Sequence, residues 1–206
     1  MNIMILGATG RVGQKIAEFA LADQHDVIAF VRTPEKLNLT GDNLTVIKGN
    51  VLDEMALNEA MKDVDFVISA LNTDKNNTLS RSMPHIVEAM EKNQLSRIVT
   101  IGTAGILDSR TEAGLYRFQS SETKRRQTSA AEDHLATFHC LEKSNLDWTV
   151  VCPTYLPDGV AEGNYRVGRN VLPENGKRIS VGDTAEFAYS LIDNNDFLKA
   201  RVGIAY

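Results

Sequence analysis

The opening thirteen residues constrain this chain more than any other segment. Ile3-Met4-Ile5-Leu6 is a short unbroken apolar run of the kind that fills a strand buried on both faces. It leads into Gly7-Ala8-Thr9-Gly10-Arg11-Val12-Gly13, after which Val12, Ile16, Phe19 and Ala20 fall on one face of a helix. Strand, glycine turn and helix in immediate succession make a βα unit. The helix begins with unpaired N–H groups and partial positive charge, and glycines at 7 and 10 remove the bulk that would hold an anion off. Gly13 lets the helix pack close on the strand. The spacing is G-x-x-G-x-x-G and no Gly-Lys-Ser/Thr follows, which argues against a P-loop. A dinucleotide pyrophosphate, held by Gly7, Thr9, Gly10, Arg11 and Val12, is the expected ligand.

The same unit then recurs. Apolar runs at 2–6, 27–31, 44–48, 64–69, 97–102 and 148–152 alternate with stretches of helical period. That pattern predicts an α/β fold: one Rossmann domain over residues 1–206, with a doubly wound, mostly parallel sheet. Asp53 is placed to cap a helix carrying Leu57, Ala60 and Met61. Leu79, Met83, Ile86, Val87 and Met90 mark another, in which Pro84 predicts a kink or a late start. Small C-terminal elements follow: a strand near Ile179, a helix from Ala185 to Ile192, and a last strand near Val202. Between Gly105 and Thr128 the periodicity fails. Lying after the fifth strand, 105–128 is expected to be a mobile loop over the ligand. Its Lys124-Arg125-Arg126 run reads as a solvated face, or as a contact for a phosphate such as that of FMN.

Composition narrows the class. A chain of 206 residues can bury about 70% of its unfolded surface without staples. Its formal net charge of −5 offers no positive field for nucleic acid. The sequence contains no 18-residue apolar segment and no signal-like start, so no membrane contact is expected and the chain reads as cytoplasmic. Cys140 and Cys152 are apolar-flanked and expected to be reduced. His134 and His139 stand five apart rather than four, and no metal is expected.

The second strand ends in Arg32, where a site selective for NAD would place a carboxylate. With Lys36 one turn on, the expected ligand is NADP(H), with NAD(H) the alternative. Asn50 and Val51, after the third strand, are candidate adenine contacts. Ala70, Leu71 and Asn72, after the fourth, would pass beside the cofactor's middle.

Gly7-Ala8-Thr9-Gly10, Val31-Arg32, Gly49-Asn50-Val51-Leu52, Val67 to Thr73, Ile101-Gly102-Thr103-Ala104 and Val151-Cys152-Pro153 together resemble the NmrA-like, NAD(P)H-binding atypical short-chain dehydrogenase/reductases. The likeness is greatest to their flavin reductase (biliverdin-IXβ reductase) branch and to bacterial NADH-flavin reductases. The resemblance implies hydride transfer from NADPH to a flat aromatic acceptor such as a flavin, bilin or quinone. It puts Thr103 beside the nicotinamide, Pro153, Thr154 and Tyr155 near the cofactor, and His134 at a further contact. Thr103 and Tyr155 are the catalytic candidates. This chain departs from the branch in having Asn50 for an aspartate and Tyr155 for a histidine.

No Tyr-x-x-x-Lys pair exists: Ser120, Gly159, Arg169 and Asp193 follow Tyr116, Tyr155, Tyr165 and Tyr189 at that spacing. A ketone/alcohol dehydrogenase using that pair is therefore disfavoured. Two expectations remain: a flavin reductase-like enzyme, monomeric or a small homo-oligomer, or a non-catalytic NADP(H) redox sensor acting through a protein partner.

Overall fold

The computed structural model describes residues 1–123 and 127–206, so Lys124, Arg125 and Arg126, and any phosphate contact through them, lie outside the described residues. Eight strands form one sheet: β1 (Asn2–Leu6), β2 (Asp26–Val31), β3 (Leu44–Lys48), β4 (Phe66–Ser69), β5 (Arg97–Ile101), β6 (Asp147–Pro153), β7 (Arg166–Arg169) and β8 (Ala200–Ala205). Their order is β3-β2-β1-β4-β5-β6-β8-β7, parallel throughout except for β7, which runs antiparallel to β8. The helices are α1 (Arg11–Ala22), α2 (Glu54–Ala60), α3 (Thr78–Lys92), α4 (Ser129–Lys143) and α5 (Val181–Ser190).

Side-chain alternation along β1 explains its unbroken apolar run. Ile3 and Ile5 face one layer, with Ile16 and Ala17 of α1 and Ala185 and Ala188 of α5. Met4 and Leu6 face the other, with Leu57 of α2, Met83, Ile86 and Met90 of α3, and Phe138 and Leu141 of α4. The fully buried Ile and Leu side chains each contribute roughly 1.5–3 kcal/mol by leaving water. Because the chain builds outward from β1 through β2 to β3 and then crosses back to β4, a crevice opens between β1 and β4, where open α/β sheets take ligands.

Asp53 caps α2 as expected, its carboxylate accepting from the Ala56 N–H at 3.1 Å. The late start expected at Pro84 is not seen: α3 begins at Thr78 and runs through the proline. Asp74 secures that start, accepting from the Thr78 N–H at 3.0 Å and the Thr78 hydroxyl at 2.7 Å. Near Ile179 there is a single bridge, Tyr155 to Arg178, in place of the expected strand. The strand at that end is instead β7, whose Arg-Val-Gly-Arg sequence carries no apolar alternation because it lies exposed at the sheet edge.

The aperiodic stretch after β5 is built from short turns and side-chain staples. Ala104–Ile106 and Arg117–Gln119 are 3-10 turns, and Asp108 bridges Tyr116. Arg201, buried on β8, donates to the Ile106 carbonyl and, at 2.7 Å, to Asp108, with its guanidinium 4.7 Å from the Phe138 ring centre. Glu122 accepts from the Ser109 hydroxyl at 2.7 Å and pairs with Arg117 at 2.7 Å.

Candidate functional site

Gly7 and Gly13 set the geometry of the β1–α1 turn. Gly7 has φ of +85°, and a Cβ there would stand 2.6 Å from the Ala70 carbonyl oxygen beyond β4. A Cβ on Gly13 would stand 2.3 Å from the Gly7 carbonyl. Glycine at both positions lets the first turn of α1 lie against the strand ends, and no side chain caps that helix. Its leading N–H groups are available to an anion.

A cavity of about 280 Å³ opens at this turn, lined by Gly7, Thr9, Gly10, Phe30, Arg32, Lys36, Val51, Ala70, Leu71 and Asn72 among others. Nine residues expected from sequence are therefore brought together there. The side chains of Arg32 and Lys36, both exposed, carry no hydrogen bond or ion pair among the described residues. Asp74 faces them from the same cavity. Hydrogen bonds from the Thr78 N–H and hydroxyl, aided by the Arg32 charge, hold its carboxyl below the usual carboxylate range.

A second cavity, of about 160 Å³, lies between the β5 end and the start of α4, lined by Thr103, Arg117, Phe118, Thr128, Thr154 and Tyr155 among others. Thr103 accepts from the Gly105 N–H at 3.4 Å, and Tyr155 is 62% exposed. A third depression shares Thr73 and Asp74 with the first cavity and Gln127 and Ala130 with the second, so the openings are contiguous.

The remaining expected residues line neither principal cavity. Arg11 reaches across to the chain beyond β6, donating to the Leu156 carbonyl at 3.2 Å and to Asp158 at 2.7 Å. Val12 packs its side chain into the core, leaving only its backbone for a ligand. Asn50 spends its side-chain oxygen on the Leu52 N–H at 3.1 Å, and Pro153 is buried at the end of β6. His134 sits on α4, where burial pushes its pKa down to about 4 against the pull of Asp133, so the ring is neutral at pH 7. Cys152, wholly enclosed beneath the site, has its thiol pushed up to about 12 by burial and is inert as a nucleophile. Both cysteines are free.

Arg117, Phe118, Thr128 and Asp74 were not anticipated. Their only sequence signal was position: the first three lie in the aperiodic stretch after β5, and Asp74 two residues beyond Asn72.

A family model described as NAD(P)H-binding matches residues 7–195. Three relatives with provisional names are informative. A pinoresinol-lariciresinol reductase 3 of Arabidopsis thaliana is 38% identical over 74 residues, 34% of this chain, and the match spans about a quarter (24%) of that reductase. A Bacteroides thetaiotaomicron structure named as an epimerase superposes with a TM-score of 0.88 at 26% identity, covering 100% of this chain and 96% of that one. A Streptococcus pneumoniae structure named as an NADH-flavin reductase gives 0.85 at 23% identity, covering 100% and 99%.

Proposed function

From the premise that this chain belongs to the NAD(P)H-binding family, we propose that it is an oxidoreductase that uses NADPH to reduce a flavin-like or quinone-like acceptor. One observation carries the reading: the start of α1, without a side-chain cap, and two cations, Arg32 and Lys36, whose side chains are unpaired among the described residues, open on a single cavity. The donors and cations of that cavity suit the phosphates of a dinucleotide that carries an extra phosphate on its adenosine end. The glycines leave the backbone N–H groups of the turn accessible to a pyrophosphate, while Arg32 and Lys36 would hold the 2′-phosphate. Phe30 and Val51 offer an apolar wall to the adenine. The contiguous groove leads toward Thr103 and Tyr155, where the nicotinamide end belongs.

When bound, a reduced nicotinamide supplies the hydride. The chain's own contribution is placement and shielding. The Thr103 hydroxyl accepts one hydrogen bond from its own turn and keeps its proton to donate to a carbonyl. Phe118 and Tyr155 supply aromatic surface in the cavity for a planar acceptor to pack against, and the 104–123 segment would shield it from water. No strong acid lines the second cavity among the described residues, which suits an acceptor whose own heteroatoms take up the charge and then a proton from solvent. The Streptococcus pneumoniae protein's name supports this acceptor class.

Mixing the protein with NADPH and FMN, riboflavin or a quinone, and following loss of the reduced nicotinamide absorbance, tests the proposal. Turnover with at least one is expected. Tight NADPH binding with no turnover of any acceptor would defeat it and favour a redox sensor.

A further inference from the structure

The second cavity holds a cation that the proposed hydride transfer does not use. Arg117 lines it together with Thr103, Phe118 and Tyr155, and is only 19% exposed at its side chain. Its Nη1 donates to Glu122 at 2.7 Å. Glu122, itself 12% exposed at its side chain, is fixed in turn by the Ser109 hydroxyl at 2.7 Å and the Arg110 and Thr111 N–H groups. Burial would raise the Glu122 pKa, but these hydrogen bonds and the Arg117 charge outweigh it and keep the carboxylate ionised.

The result is a guanidinium whose position is set before any ligand arrives. A guanidinium has five N–H donors in a rigid fork, and among the described residues the Arg117 side chain bonds to Glu122 through Nη1, so donors remain for a second oxyanion. A surface arginine would lose rotamer freedom on binding, whereas Arg117 has already lost it. Pre-organisation of this kind raises affinity by lowering the ordering cost of binding.

We propose that Arg117 determines acceptor specificity by selecting planar molecules that carry an anionic oxygen group, carboxylate, sulfonate or phosphate, and that Glu122 is its positioning residue. Phe118 and Tyr155 take the ring faces, and the anionic group meets Arg117. This rests on the second cavity being the acceptor site, as proposed above.

A matched pair of probes tests it without requiring turnover: 1,4-naphthoquinone-2-sulfonate and neutral 1,4-naphthoquinone, titrated calorimetrically into the full-length protein with NADP⁺ present. Wild-type protein is expected to bind the sulfonate at least tenfold more tightly. Arg117→Gln should abolish that preference while leaving the neutral quinone's affinity within twofold. Glu122→Gln should weaken sulfonate binding less than Arg117→Gln does, because the guanidinium stays but loses its fixed orientation. Equal wild-type affinities would overturn the proposal. So would a preference that survives in Arg117→Gln, since other cations would then be responsible. If Arg117→Gln fails to fold, Arg117→Lys, which keeps the charge but not the fork, should reduce the preference at least threefold, and an unchanged preference there overturns the proposal. Absence of NADPH oxidation with either quinone, alongside the expected binding pattern, would instead count only against the reductase reading.

Discussion

At Arg32 the guanidinium stands beside Lys36 with no acidic partner bonded to it, while Asp74 in the same cavity stays ionised on its own hydrogen bonds. A charge-assisted contact to a 2′-phosphate contributes about 1.5–3 kcal/mol, so Arg32→Ala is expected to raise the NADPH dissociation constant roughly 10–150-fold. NADH, lacking that phosphate, should bind the variant and the wild type alike. Competition titrations of both nucleotides against both proteins check it. Asp183 shows the opposite case, a carboxylate saturated with partners. It accepts from the Glu162 and Gly163 N–H groups at 2.8 and 2.7 Å, from the Ser180 hydroxyl at 2.8 Å, and from the hydroxyl of Tyr206. Burial would raise its pKa, but bonds from Tyr206, Gly163, Ser180 and Glu162 prevail and leave it lowered. A depressed carboxylate stabilises the fold above its unfolded pKa of about 3.9, and that stability is lost as pH falls through the folded value. Asp183→Asn should therefore cost about 1.5–3 kcal/mol at pH 7 and flatten the acid limb of a stability-versus-pH curve measured by denaturant unfolding.

Among the elements, the 104–123 segment owes its order to distant residues. Arg201 lies 93 positions from Asp108 yet clamps it, and also stacks over Tyr116 and Phe138. Arg201→Met should leave NADPH affinity unchanged, speed amide exchange over 106–117 and raise the acceptor KM several-fold, read by exchange mass spectrometry and steady-state kinetics. This long-range clamping also explains what the sequence could not convey. β1 and the central strands were legible because burial on both faces demands unbroken apolar runs. The turn at Gly7 was legible because glycine alone meets its positive φ and its approach to Ala70. The loop's staples leave no periodicity, so Arg117 and Phe118 went unseen. β7 was hidden because an exposed edge strand has no apolar face to show. Position after the third strand suggested Asn50 and the family resemblance suggested His134; the folded chain bonds the Asn50 side chain within its own turn and holds the His134 ring on α4, where burial lowers its pKa.

Over the whole molecule, strand order and the connection after β5 together place the two cavities. Winding out from β1 to β3 and back to β4 opens the crevice that holds the first cavity, and the long connection after β5 walls the second cavity, proposed for the acceptor, on the same sheet edge. The described residues contain no helix long and apolar enough to cross a membrane. The central claim is that NADPH occupies the β1–β4 crevice, and amide exchange with and without saturating NADPH tests it most directly. Protection is expected at the Gly7–Gly13 turn, around Arg32 to Lys36, and at Ala70 to Asp74. Unchanged exchange in those three segments at nucleotide concentrations that saturate binding would contradict it.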